Sequence, residues 1–191
     1  MLHPATTATL SPKEIVSRIE HLAGPSYEKG RVDHGDAVVG VTPGAWPTLF
    51  EALKTDPELS FEQLIDITAV HWPLDEGREF EMVWQFRSLS KNLYARVTTR
   101  LADGEGVDSA TGTFASANYL EREVYDLFGI GFRGHPNLKR ILLPQEYEGH
   151  PLRKEYPVEG PNFPEDAHRN DLFGELDPDD FWNDVDRNAE G

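Results

Sequence analysis

The densest group of ionisable side chains is Glu121, Arg122, Glu123 and Asp126, set among Tyr119, Leu120, Val124, Leu127 and Phe128. On a helix Arg122 and Asp126 stand four apart on one face, where opposite charges can pair, while Glu123 falls beside Tyr119 and Leu127. Glu121 and Glu123, two apart, diverge by about 160° around the axis and cannot flank one bond as an acid/base couple. A helix apolar over most of its circumference is buried on more than one side, so its charges must be paired or must meet another chain. The plainer alternative is a solvated charged stripe. The sharper one is an ion-pair network with the basic stretch downstream, where Arg133, Lys139, Arg140, Arg153 and Lys154 face only Glu146 and Glu148.

The same stretch holds His135 and His150, each inside a Gly-His-Pro tripeptide at 134–136 and 149–151, the one internal repeat. Two histidines invite a metal or general-base reading, and a metal-dependent hydrolase using His135, His150 and nearby glutamates is the rival hypothesis. Neither cysteine nor an HExxH spacing accompanies them. A residue before proline is biased toward extended backbone, which suits aiming the imidazole at a carbonyl or carboxylate. The turn at 104–106 lacks the third glycine and apolar helix start of a phosphate loop, and no Ser-His or Cys-His nucleophile has a local signature.

Composition narrows the classes further. With no cysteine, the chain has no thiolate for an iron–sulfur cluster and no disulfide. A net charge of −16 argues against nucleic acid or anionic lipid as a general partner. Residues 165–191 hold ten acidic and two basic side chains, a net of −8, so half the excess lies in the tail. No run of eighteen apolar residues occurs, and 1–10 has neither the basic and apolar regions of a secretory signal nor the arginines of a mitochondrial presequence.

The elements that must position these residues follow from pattern. Ser11, Pro12 and Glu14 read as a helix start, with Ile15, Ile19 and Leu22 on one face and Gly24-Pro25 as its stop. Residues 27–32 and 37–41 form two arms of a hairpin across the turn at 33–36. Residues 46–54 give a second helix with Leu49, Phe50 and Leu53 inward. Strands follow at 64–70, 80–87 and 92–101, then a third helix at 114–128 ended by Gly129. From 130 onward prolines at 136, 144, 151, 157, 161, 164 and 178 forbid long helices and central strands. That segment runs extended, yet it carries Phe132, Leu138, Ile141, Leu142, Leu143, Leu152 and Tyr156. It needs a surface to lie on, either its own domain or a neighbouring chain. The expected fold is α+β: a mixed, mainly antiparallel sheet with helices on one face, ordered helix-strand-strand-helix-strand-strand-strand and then a helix. This α+β domain takes in 1–130, and a partner-wrapping extended segment with the acidic tail takes in 131–191.

Three blocks carry a resemblance. They are Glu121-Arg122-Glu123-Val124-Tyr125-Asp126-Leu127-Phe128-Gly129-Ile130; Gly134-His135-Pro136-Asn137-Leu138-Lys139-Arg140-Ile141-Leu142; and Gly149-His150-Pro151-Leu152-Arg153-Lys154-Glu155-Tyr156-Pro157. Together with 66–70 and 88–90 they resemble the 30-kilodalton subunit family, the C-type family, of NADH:quinone oxidoreductase, respiratory complex I, over about 64–157. The departures keep size or charge: the family pattern has tryptophan where Phe114, Tyr119 and Tyr147 stand, arginine at Lys139 and aspartate at Glu155. The resemblance implies a structural subunit of the peripheral arm of a proton-translocating complex, non-catalytic in itself. No cofactor belongs to it; NAD, FMN, iron–sulfur clusters and quinone sit in partner subunits. It implies docking on the quinone-cavity subunit (of the D-type family) and near the subunit that carries two four-iron clusters (of the I-type family). The location implied is the cytoplasmic face of the bacterial inner membrane, reached only through the complex. The alternative assemblies are photosynthetic NDH complexes and membrane-bound hydrogenases, which hold related subunits; the complete double Gly-His-Pro pattern most resembles the respiratory form. The expected interface residues are Glu121, Arg122, Glu123, Asp126, Arg133, His135, Pro136, Arg140, His150, Pro151, Leu152, Arg153 and Lys154.

Overall fold

A computed structural model describes residues 10–157; the segment 1–9, the chain beyond 157 and with it the acidic tail lie outside the described residues. Helix α1 (Pro12–Ala23) opens on a complete capping box, in which the Ser11 hydroxyl accepts from the Glu14 amide and the Glu14 carboxylate accepts from the Ser11 amide. Ile15, Ile19 and Ala23 form its buried stripe, and Leu22 lies at the margin of the core. Strands β1 (Tyr27–Asp33) and β2 (Asp36–Val41) pair as the expected hairpin, turning through His34 and Gly35 in the left-handed region. Helix α2 (Trp46–Thr55) buries Trp46, Leu49, Phe50 and Leu53. Strands β3 (Gln63–His71), β4 (Phe80–Ser88) and β5 (Leu93–Leu101) follow.

The five strands lie in the order β1-β2-β5-β4-β3. Three neighbouring pairs are antiparallel, and β2 against β5 is parallel, with Val39 beside Val97. That one parallel pair makes the sheet mixed. It arises because the chain leaves β2 through α2, adds β3 and β4 as a meander, and returns β5 to the middle. The helix-facing side is aromatic: Trp46 and Phe50 pack on Trp84 with centroids 5.2 and 5.4 Å apart, and Phe50 meets Phe86 edge-on at 4.9 Å.

Helix α3 (Ala117–Phe128) begins three residues later than its apolar pattern suggests, because Phe114 is spent as a buried turn residue against Phe86. Two short strands escape the sequence pattern, β6 (Val107–Asp108) and β7 (Phe132–Arg133), which pair in parallel. They fasten the start of the proline-rich ribbon to the loop after β5. Packing therefore does not stop at 130: the ribbon from 131 to 156 lies along α3 and the end of the sheet, so within these residues the surface it needs is supplied by its own chain.

Candidate functional site

The charged cluster of α3 is resolved into separate tasks. Asp126 is wholly buried, and its Oδ2 accepts three successive amides of the ribbon, those of Ile141, Leu142 and Leu143, at 2.8–2.9 Å. Its Oδ1 accepts from the Arg140 guanidinium at 2.8 Å. Burial alone would raise this carboxyl, but the three amides and Arg140 outweigh it and hold it below the usual aspartate range. The other terminal nitrogen of Arg140 donates to the carbonyls of Tyr147 and Gly149 at 2.9 and 3.0 Å, closing the ribbon into a loop around one guanidinium.

Arg122 does not pair with Asp126, as helical spacing suggested. Its guanidinium donates to the carbonyls of Lys139 and Arg140, both at 3.0 Å. The physical reason is competition: three ribbon amides and Arg140 already saturate Asp126, while those two carbonyls need donors. Glu121, also fully buried, accepts from the Ser109 hydroxyl and the Ala110 amide, both at 2.6 Å. Its pKa is raised, burial outweighing those two bonds. Glu123 stays exposed. The cluster thus clamps the helix to the ribbon, through the ion pair of Asp126 with Arg140 of the basic stretch downstream and through the Arg122 bonds to ribbon carbonyls.

The C-terminus of α3 shows the same design. A helix leaves its last carbonyls unpaired, and here the second Gly-His-Pro block supplies the donors. His150 Nδ1 meets the Asp126 carbonyl at 2.9 Å, the Leu152 amide donates to Leu127 O at 3.0 Å, and Arg153 Nε donates to Phe128 O at 2.7 Å. Gly129 ends the helix at φ +78°, and a β-carbon there would stand 2.6 Å from the His150 ring. Glycine is required twice over, by the left-handed backbone and by the imidazole packed on it.

The first Gly-His-Pro block works at the other end. His135 Nε2 donates to the Asn118 carbonyl at 3.0 Å while Nδ1 accepts the Asn137 amide at 3.0 Å, so both ring nitrogens are committed. Arg133 holds Asp108 at 2.7 Å and Gly106 O at 2.9 Å across the β6–β7 pair. Arg153 reaches Asp103 with two bonds at 2.9 and 3.1 Å. Among the described residues no three histidine, aspartate or glutamate side chains gather where they could hold a metal ion, and no helix is long and apolar enough to cross a membrane.

The family model described as respiratory-chain NADH dehydrogenase, 30 Kd subunit, matches residues 39–162. The chain belongs to that family. The family match spans the sheet from β2 onward, α3 and the whole described ribbon. Among curated relatives, the C-type subunit of the NADH-quinone oxidoreductase of Dinoroseobacter shibae is 37% identical over 155 residues, covering 81% of this chain and 72% of the relative. That of Agrobacterium fabrum is 35% identical over 147 residues, covering 77% and 73%. Of solved structures, a chain of the membrane-bound sulfane sulfur reductase, an archaeal respiratory membrane complex, is similar with TM-score 0.61 and 26% identity over 76% of this chain and 85% of that one. The trypsin-resistant fragment (1-134) of Nqo5 is similar with TM-score 0.50 and 25% identity over 65% and 98%.

Several partners of this chain's charged blocks carry no mark in the sequence. Asp103, Asp108, Ser109 and His71 lie in loops or at a strand end, with no periodicity to single them out. Tyr147 and Tyr156 join hydroxyl to hydroxyl at 2.8 Å, and Gly149 lets Tyr156 approach to 2.7 Å of where its β-carbon would stand. The close repetition of tyrosine and glycine around the second histidine is the signal that points to this pair. The ribbon faces left to solvent carry Leu142, 59% exposed, and Leu152, 48% exposed, with Tyr119 of α3 at 62%; Pro136, Lys139 and Lys154 are exposed as well.

Proposed function

We propose that this chain is a structural subunit of the peripheral arm of a proton-translocating NADH–quinone oxidoreductase and performs no redox step itself. Its work is to hold a rigid, loop-rich surface against two neighbours, the quinone-cavity subunit (of the D-type family) and the one that carries two four-iron clusters (of the I-type family). NAD, FMN, iron–sulfur clusters and quinone belong to the partners; a chain without cysteine offers no thiolate to a cluster. Membrane contact is indirect, at the cytoplasmic face of the bacterial inner membrane, through the assembled complex. The segment 131–191 is the partner-facing part, and 1–130 its platform.

The observation that carries this reading is the division of labour in the ribbon. Arg140 and Arg153 are turned inward onto α3, whereas Leu142 and Leu152, with Tyr119, are presented outward on a backbone fixed by Asp126 and Arg140. Exposed leucines on a rigid, non-helical surface suit the buried centre of a permanent interface. Glu121 and Asp126 act from inside by shaping that surface, while Glu123, Arg133, Pro136, Pro151 and Lys154 lie where a neighbour can reach them. The relatives named as parts of NADH-quinone oxidoreductases are 35–42% identical. The likeness at 26% to a chain of an archaeal respiratory membrane complex supports a second assembly context less strongly.

The test is co-purification in mild detergent of Leu142→Glu, Leu152→Glu and the double variant with the homologues of the quinone-cavity and two-cluster subunits. Loss of both partners, with the unfolding temperature of the isolated chain unchanged, is the expected result. Undiminished co-purification of the double variant overturns the docking surface, and a turnover by the isolated chain overturns the structural role.

A further inference from the structure

His71 ends β3 with a side chain only 5% exposed. Its ring lies flat on Phe80, centroids 4.4 Å apart and planes within 10°. Phe80 also carries the Arg153 guanidinium, 5.0 Å from its centroid. The ribbon's last described turn, closed by the Tyr156 amide on the Arg153 carbonyl, is thereby seated on the end of the sheet.

Two opposed partners converge on one nitrogen of this ring. Nδ1 accepts the Lys154 amide at 3.0 Å, and the Glu155 carboxylate stands 3.3 Å from the same atom. A neutral imidazole with its proton on Nε2 can accept from Lys154 but has nothing on Nδ1 to give Glu155. An imidazolium carries a proton on Nδ1, so it donates to Glu155 and can no longer accept an amide. One proton decides which of two neighbouring ribbon residues is bound.

We propose that His71 is a proton-operated clasp, exchanging the Lys154 amide for the Glu155 carboxylate as the partner that fixes the ribbon's end. The charged groups around it come from two directions. On the ribbon are Arg153, Lys154 and Glu155. On the turn after β5 is Asp103, which holds the Arg153 guanidinium, backed by Glu79, which accepts the Asp103 amide. Glu155 and Asp103 favour the imidazolium; Arg153 opposes it, but is itself engaged by Asp103 at 2.9 Å and lies 3.6 Å from Glu155. The clasp acts on the turn at 153–156, which the Tyr156 amide closes on the Arg153 carbonyl. It does not depend on the docking reading, because both of its states are made within one chain.

The experiment is a pH titration from 5 to 8 of the full-length ¹⁵N-labelled chain, following the His71 ring nitrogens and the Lys154 amide together. The expected result is that the Lys154 resonance moves with the midpoint of the His71 ring. Its exchange protection, corrected for intrinsic rate, falls about tenfold on the acid side, the loss of roughly one hydrogen bond. In His71→Gln, whose amide oxygen still accepts, the Lys154 resonance stays constant and protected throughout. In Glu155→Gln the shared midpoint moves to lower pH. A Lys154 amide indifferent to a titrating His71, or a His71 ring that keeps one state across the range, overturns the proposal. Should His71→Gln not fold, Glu155→Gln decides alone, because that side chain is 57% exposed and its loss leaves the fold intact.

Discussion

Arg140 and Asp126, fourteen residues apart in sequence, meet at 2.8 Å with the aspartate wholly buried and the arginine 13% exposed. Because the same carboxylate takes three ribbon amides, this contact is the pivot about which residues 140–149 are folded.

Asp126→Asn removes the charge and turns one acceptor into a donor facing Arg140 or the amides. Breaking a buried pair from one side leaves the other charge uncompensated, so the expected loss is about 3–5 kcal/mol. Denaturant unfolding of the chain measures it; a loss under about 1 kcal/mol means the ribbon does not rely on this pivot.

Gly129→Ala is expected to cost about 2 kcal/mol or more, combining the left-handed backbone with the overlap against His150. In a His150→Ala background the overlap is gone and only the backbone part, about 1–2 kcal/mol, remains. A double-mutant cycle separates the two. Strict additivity would show that the imidazole does not sit on the glycine.

Asp126 and Glu121 shape the pH profile in opposite senses. The depressed Asp126 pKa contributes stability that is present above the unfolded value of about 3.9 and is lost as pH falls through the folded value. Glu121 is raised by burial, against bonds from Ser109 and Ala110. Its contribution is present below about 4.3 and is lost as pH rises through the folded value. Glu121→Gln, whose oxygen can accept from Ala110 and whose amide can donate to Ser109, is therefore expected to gain stability relative to the natural chain as pH rises from 4 to 7. Parallel profiles for the two proteins would show that Glu121 does not titrate in that window.

Arg153→Lys keeps the charge but cannot serve Phe128 O and both Asp103 oxygens at once. With Asp103 half exposed, solvent screens the ion pair, and the expected cost is about 1 kcal/mol, chiefly from the orphaned helix carbonyl. Hydrogen exchange at the end of α3 locates the effect, and unaltered protection at Leu152 and Tyr156 would refute it.

The local elements were written in the sequence. Ser11 and Glu14 mark a helix start, Gly129 a helix stop, His34-Gly35 a hairpin turn, and the prolines after 130 a ribbon without helices. Each is a property of a few adjacent residues, since capping, left-handed backbone and proline's missing amide act within one turn. The absence of cysteine and the paired Gly-His-Pro blocks likewise needed no coordinates. What only the tertiary structure decided is who meets whom. Periodicity says that β2 and β5 are strands but not that they pair in parallel, because that follows from how α2 packs and the meander returns. Helical spacing offered Arg122 to Asp126, yet the ribbon brought three amides and a second guanidinium to the same carboxylate. A buried carboxylate takes the partners that satisfy it most completely, and those lay fourteen to seventeen residues away, beyond the reach of any local pattern.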